Sequence, residues 1–222
     1  MLRSRARRIF AIITVRSLIE LGLTGGAVFA FILLAREVID RDTDAFDERL
    51  ARWIRAALDS PAADGFFTVF TNAGSGPFLI VVTVVAAFLM FRRGFRWTAL
   101  VMIVNGLVAE TLMTLLKHLV ARDRPHLDPL IPLPASYSFP SGHALASFAV
   151  YTTVIYAFAR TSSPRVRIAC ALLGALLIVT IGLSRVYLGV HWPLDVVAGY
   201  LAGAPLFAVS VHLMRRLDPI RA

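Results

Sequence analysis

The sequence predicts an all-α protein, a polytopic membrane bundle of six transmembrane helices with one amphipathic helix outside the bilayer. Three observations carry this. Of the 222 residues, 58% are hydrophobic and only 17% charged, more apolar than an ordinary soluble domain. The apolar residues gather into runs long enough to cross a hydrocarbon core, which takes about 20 helical residues. The basic residues cluster in short turns between the runs, recurring at every second turn, as the positive-inside rule requires of a polytopic chain. A single membrane domain over 1–222 is expected.

The first run, Ile9 to Ala35, follows Arg3-Ser4-Arg5-Ala6-Arg7-Arg8 and begins like a signal peptide. It is long and lacks a small-residue cleavage site, so a retained anchor is expected. Arg16 and Glu20 are spaced to pair within this helix, and Gly22 and Gly26 have the spacing of close helix packing. From Arg36 to Gly65 the chain is polar and acidic, with Asp40, Asp42, Asp44, Asp47, Glu48, Asp59 and Asp64, and reads as an external loop. Inside it Phe46, Leu50, Trp53, Ile54, Ala57 and Leu58 recur at helical spacing, which predicts an amphipathic helix at the membrane interface.

The second run, Phe66 to Phe91, is interrupted at Asn72-Ala73-Gly74-Ser75-Gly76-Pro77, where the helix should break or restart. The third, Phe95 to Leu119, carries Asn105 and Glu110 at membrane depth. A hydrogen bond to a neighbouring helix is the expected use of such groups. The fourth begins after Pro140 and ends near Arg160, the fifth runs from Val166 to Leu183 and the sixth from Pro193 to Met214. A lone Cys170 excludes an intrachain disulfide and a cysteine metal cluster.

The net charge of +9 does not form a nucleic-acid-binding face, because the cations are dispersed among the turns. With a cytoplasmic N-terminus, the turns holding Arg92, Arg93 and Arg96, then Arg160, Arg165 and Arg167, then Arg215, Arg216 and Arg221 are also cytoplasmic. Both termini then lie inside. The acidic loop, the stretch from Lys117 to His143 and the stretch from Ser184 to Asp195 share the external rim.

That rim concentrates the chemistry. Lys117 and Arg124-Pro125 can present two cations to one anion, unless both merely snorkel at the boundary. Arg122 has a weaker claim, being placed to pair with Asp123 or with headgroups. In Pro140-Ser141-Gly142-His143, Ser141 is a natural N-cap, so the N–H groups of Gly142 and His143 sit at the positive end of a helix dipole. Gly142 leaves room for a phosphate oxygen, and His143 can give a proton to a leaving group. In the stretch from Ser184 to Asp195, Pro193 suits a first helical turn, which puts His191 just before the helix and Asp195 at its third position. Asp195 then reaches back to the imidazole, fixes its tautomer and leaves the other ring nitrogen free as a nucleophile. Arg185 supplies a fork for phosphate oxygens.

These three stretches, in this order and spacing, resemble the three-part signature of the type 2 phosphatidic acid phosphatase family, with no position departing from it. The resemblance covers the catalytic half, from the third run onward. It implies that His191 attacks phosphorus to form a phosphohistidine, helped by Asp195, and that His143 protonates the departing oxygen. It further implies that Lys117, Arg124, Ser141, Gly142 and Arg185 hold the phosphate oxygens before water cleaves the intermediate. No metal or cofactor is implied, and no carboxylate cluster in the sequence suits magnesium. The expectation is a membrane-bound phosphatase of lipid phosphates or diphosphates, with its site on the external face of a bacterial inner membrane. Its partners are its lipid substrate and membrane lipids. Undecaprenyl diphosphate is the first substrate to expect, followed by phosphatidate and phosphatidylglycerophosphate. The alternatives are a lipid phosphotransferase using the same phosphohistidine, and a non-catalytic lipid-binding or transport protein in which Glu20 and Glu110 would be central.

Overall fold

Serine and proline set most of the helix starts. Ser60-Pro61, Ser163-Pro164 and Ser141-Gly142 each place a serine oxygen over the free N–H groups of a first turn, and Trp192-Pro193 uses proline where no N–H is needed. In the computed structural model, which describes residues 2–219 with side chains from Leu18 onward, these starts divide the chain into eight helices. They are α1 (Leu2–Ile39), α2 (Asp44–Leu58), α3 (Pro61–Phe70), α4 (Gly76–Arg92), α5 (Arg96–Val120), α6 (Gly142–Ala159), α7 (Pro164–Tyr187) and α8 (Pro193–Leu217). The side chains of Arg3, Arg5, Arg7, Arg8 and Arg16, and all of Arg221, lie outside the described residues.

Among the described residues five helices are long and apolar enough to cross a membrane: α5, α6, α7, α8 and α1 over Leu18–Ile39. A sixth span arises if α3 and α4 count as one, bent by 51° at the 3-10 turn Thr71–Gly74. That is the break expected at Asn72 to Pro77. The outward faces of α1, α4, α5 and α7 carry exposed Leu, Ile, Val and Phe, as a lipid-facing surface must. The protein is an all-α, multi-pass membrane bundle.

Within the bundle α6 and α8 lie closest. Gly199 and Gly203 of α8 make this possible, since a Cβ at Gly199 would fall 2.7 Å from Ala144 Cβ and from the Ser141 carbonyl. The Gly-x-x-x-Gly spacing that brings helices together is therefore on α8. It is not the Gly22 and Gly26 pair singled out in the sequence, where both glycines are exposed and the space beside them is open. The remaining helices surround this pair, and Asn105 of α5 donates to the Ala149 carbonyl of α6 at 2.9 Å, as expected of it.

Two helix ends share one device. At Gly94 and Gly189 the backbone turns left-handed (φ 85° and 74°). In each case the next N–H reaches back to the third-last helical carbonyl: Phe95 N to Met90 O at 3.0 Å, and Val190 N to Arg185 O at 3.1 Å. The second of these stops α7 four residues later than the sequence reading placed its end, so Ser184 and Arg185 belong to its last turn and His191 hangs from its cap.

Other expectations change. Glu110 is exposed on α5 and does not reach a neighbouring helix, because it projects from the lipid-facing side. Glu20 meets Arg215 of α8 in an ion pair, so the carboxylate acts between helices, while its proposed partner Arg16 lies outside the described side chains. Arg160, assigned to a cytoplasmic turn, is buried and donates to Met214 O and Thr98 Oγ1.

Candidate active site

The segment from Val190 to Asp195 folds as the spacing requires. Asp195, third in α8, accepts the Trp192 N–H at 2.9 Å through Oδ2 and places the same oxygen 3.3 Å from His191 Nδ1. The carboxylate favours the tautomer with its proton on Nδ1, which leaves the Nε2 lone pair free. Both residues are buried, at 3% and 0% exposure. Burial pushes the His191 pKa down to about 3, against the pull of Asp195, so the ring is neutral at pH 7.

Cations surround the free nitrogen. Arg124 Nη1 lies 3.4 Å from His191 Nε2, and the guanidinium is oriented by the carbonyls of Val190 at 2.6 Å and Ser136 at 2.8 Å. Burial lowers the Arg124 pKa, with Asp195 opposing it. Lys117 is buried at 6% exposure and donates to the Tyr137 carbonyl, so it faces the interior of the rim and does not snorkel. Arg185, 4% exposed, donates from Nη1 to Thr71 Oγ1 at 2.7 Å, while its Nε is buried without a partner. An unpaired guanidinium nitrogen in such a place is a site that an anion would satisfy.

His143 is half-buried in the first turn of α6, within electrostatic reach of Arg185, His191, Lys117 and Arg124. Ser141 caps this helix, with Oγ accepting from Ala144 N at 3.5 Å, and its own N–H goes to the Asp195 carbonyl at 2.9 Å. Both sequence-predicted histidines, the aspartate and the three cations thus meet at one end of the bundle. Gly142 is also packed against α5: a Cβ there would lie 2.3 Å from Met113 Sδ, so the missing side chain makes room for that helix. The N–H groups of Gly142 and His143 still open the helix, where no intrahelical carbonyl reaches them.

Four further groups complete the site. Arg122 is buried and donates from Nη1 to Asp195 Oδ1 at 2.8 Å, on the side of the carboxylate away from His191. Its Nη2 lies 2.8 Å from Asp47 Oδ2 and 3.1 Å from Asp44 Oδ1. It does not pair with Asp123, whose carbonyl instead accepts Trp192 Nε1 at 3.1 Å. Burial opposes the Arg122 charge, but Asp195 and Asp47 more than compensate and raise its pKa. Asp47 is fully buried and accepts the Leu194 N–H at 2.9 Å through Oδ1, which ties α2 to the start of α8. Burial raises the Asp47 pKa, with Leu194 and Arg122 opposing. The amphipathic helix therefore has two working faces, with Phe46 and Trp53 outward and Asp47 and Ala51 inward. Ser138, also fully buried, donates Oγ to Asp195 Oδ2. Thr71, which holds Arg185, comes from the 3-10 turn that the break at Asn72 to Pro77 announced. Among the described residues no three His, Cys, Asp or Glu side chains converge in a group able to hold a metal ion.

A multi-pass helical bundle with two histidines, a buried carboxylate and three cations at one end is built to handle an anionic group at a membrane surface. Comparison with known proteins agrees. Residues 96–219 match the family model described as the PAP2 superfamily, and the chain belongs to that family. It is 28% identical to phosphatidylglycerophosphatase B of Bacillus subtilis over 179 residues, 80% of this chain and 87% of the relative. It is 36% identical to the undecaprenyl-diphosphatase of Sulfolobus acidocaldarius over 137 residues, 60% of this chain and 62% of that one. The crystal structure of a transmembrane PAP2-type phosphatidylglycerolphosphate phosphatase from B. subtilis superposes with a TM-score of 0.83 at 26% identity, covering 89% of this chain and 98% of the other.

Proposed function

We propose that this protein is a membrane phosphatase that hydrolyses lipid phosphates or diphosphates through a phosphohistidine on His191. The observation that carries the reading is the pairing at the two ring nitrogens: Asp195 on Nδ1 at 3.3 Å, and Arg124 beside Nε2 at 3.4 Å. A neutral imidazole with its free lone pair next to a guanidinium is a nucleophile aimed at an anion.

The phosphate sits against Arg124, Lys117, Arg185 and the N–H groups opening α6. His191 Nε2 attacks phosphorus, and the bond to the lipid oxygen, or to the bridging oxygen of a diphosphate, breaks. His143 supplies the proton that this leaving oxygen takes up, whether it departs as an alcohol or as a phosphate. The resulting imidazolium keeps its Nδ1 proton against Asp195, whose charge stabilises it. The guanidinium and ammonium groups meet the charge on the equatorial oxygens as it grows, in a site largely closed to water. A water molecule, deprotonated by His143, then attacks phosphorus, cleaves the N–P bond and releases inorganic phosphate with both histidines restored. The cations supply the charge stabilisation for which other phosphatases use a metal, so no metal is required.

The site faces the external side, with both termini inside and one domain spanning 1–222. Undecaprenyl diphosphate remains the first substrate to test. The similarity to the Bacillus relative and the solved structure, each matched over most of both chains, supports testing phosphatidylglycerophosphate beside it. The test is phosphate release by purified protein in detergent from undecaprenyl diphosphate, phosphatidylglycerophosphate and phosphatidate, with His191→Ala as the blank. Release from at least one lipid that disappears in the blank supports hydrolysis. Equal release by His191→Ala sinks the mechanism, and turnover that appears only with an added lipid or sugar acceptor identifies a phosphotransferase.

A further inference from the structure

A cavity of about 630 Å3 lies between α6, α7 and α8 at the end of the bundle away from the catalytic residues. Its walls are mostly apolar. On α7 the small residues Ala171, Gly174 and Ala175 form a trough, and Gly174 is where α7 touches α6, since a Cβ there would fall 2.1 Å from Ile155 Cδ1. The same cavity is lined by three guanidinium groups: Arg160 at the end of α6, Arg167 in the first turn of α7 and Arg215 in the last turn of α8.

The three differ in how well they are satisfied. Arg215 donates Nε to Tyr156 Oη at 2.8 Å and is paired with Glu20. Arg160 is buried at 9% exposure, and its Nη atoms reach Met214 O at 3.3 Å and Thr98 Oγ1 at 3.2 Å, while its Nε is buried with no partner. Arg167 is exposed at the mouth. Of the nearby carboxylates, Glu20 is engaged by Arg215, and Asp218 accepts the Thr98 N–H at 2.7 Å. Positive charge is in excess, and it stands at one end of an apolar trough.

We propose that this cavity binds one anionic phospholipid from the leaflet opposite the catalytic end, with its phosphodiester between Arg160 and Arg167 and an acyl chain along the trough. Arginine forks match phosphate oxygens, and basic pockets between transmembrane helices suit anionic headgroups. The volume falls within the range of about 300–1,000 Å3 usual for small-molecule sites. A free phosphate would leave the apolar walls unused, and a zwitterionic headgroup would set its own cation against Arg167. The site is distinct from the catalytic one. Arg160 and His143 stand at opposite ends of α6, roughly 25 Å apart at 1.5 Å per residue, which is too far for one headgroup to serve both.

The test is lipid retention. Protein is purified, incubated with an equimolar mixture of phosphatidylglycerol and phosphatidylcholine of matched chains, and examined by native mass spectrometry. One phosphatidylglycerol should be retained at least tenfold in preference to phosphatidylcholine. Ala175→Phe, which fills the trough without touching charge, and Arg167→Glu, which inverts an exposed charge, should each bring the preference close to parity. His191→Gln, at the other end, should leave it intact. Equal retention of the two lipids by the wild type, or a preference lost only in His191→Gln, overturns the proposal. Should Ala175→Phe not fold, Arg167→Glu decides alone, and an unchanged preference there is equally fatal.

Discussion

Replacing Arg122 separates holding the fold from holding the proposed nucleophile, His191. Its guanidinium lies 2.8 Å from Asp195, 2.8 Å from Asp47 and 3.1 Å from Asp44, and it is 9% exposed. Arg122→Met leaves two fully buried carboxylates, Asp47 and Asp195, without their cation. Removing one member of a buried ion pair costs about 3–5 kcal/mol. At about 2–4 °C per kcal/mol for a chain of this size, the melting point in detergent should fall by roughly 6–20 °C. Adding Asp47→Leu removes one stranded charge and should recover part of that loss, because an apolar pair of similar volume is often as stable as the buried ions it replaces. Asp195, however, keeps Ser138, the Trp192 N–H and His191 Nδ1 on Oδ2 but loses the Arg122 contact on Oδ1. Phosphate release by the double variant should therefore stay about 10–100-fold below wild type, the usual loss when a group that orients a reacting ligand is removed. At 1.36 kcal/mol per decade that is roughly 1.4–2.7 kcal/mol of barrier, expressed in kcat more than in KM. A double variant whose kcat recovers along with its melting point would refute the positioning role and leave Arg122 a structural residue.

Four further outcomes follow from the same geometry. His143→Ala should abolish turnover while the melting point stays within a few degrees of wild type, as read by phosphate release and thermal unfolding; multiple turnovers at the wild-type rate would remove it from the chemistry. Gly189→Ala strains a left-handed turn at φ 74° and sets a Cβ 3.2 Å from both the Leu127 carbonyl and Pro129 Cα. It should cost about 1–2 kcal/mol or more and lower kcat, because this turn carries His191. Histidine ring 15N shifts, assigned by His191→Gln, should report a neutral His191 with Nδ1 protonated from pH 8 down to pH 5. Burial places its pKa near 3 and therefore favours the neutral form throughout that window, and a midpoint near 6.5 would contradict it. Phosphate release should survive EDTA and be inhibited by vanadate, whereas strict dependence on added magnesium would count against the cationic site.

The parts of the site that could be read in the sequence share a property: their chemistry is local. The reach of Asp195 back to His191 follows from four residues and one proline, and the Ser141 cap from three. The groups that were missed act across the chain. Arg122 meets Asp47 and Asp195, which are 75 residues before it and 73 after it in the numbering, and nothing near any of them indicates the pairing. Asp47 was hidden further by its setting. In an acidic loop on a helix with an apolar stripe, one more carboxylate reads as solvated, yet it occupies the one inward position where a charge is useful. Gly142 was legible only in part, because a neighbour 29 residues away in the sequence, Met113 of α5, also requires it to be small.

The same contrast explains why α2 belongs to the enzyme and is more than a membrane anchor. Its outward residues, Phe46 at 48% and Trp53 at 67% exposure, are fitted to a lipid interface, and its inward Asp47 holds both Arg122 and the first turn of α8. The amphipathic helix is thus two ion pairs away from the carboxylate beside His191. Loosening α2 from the bundle would withdraw Asp47 from Arg122 and from Leu194 together, and the position of Asp195 depends on both. The Asp195 carboxylate is for this reason held in place by a segment outside residues 96–219, the part of the chain matched by the family model.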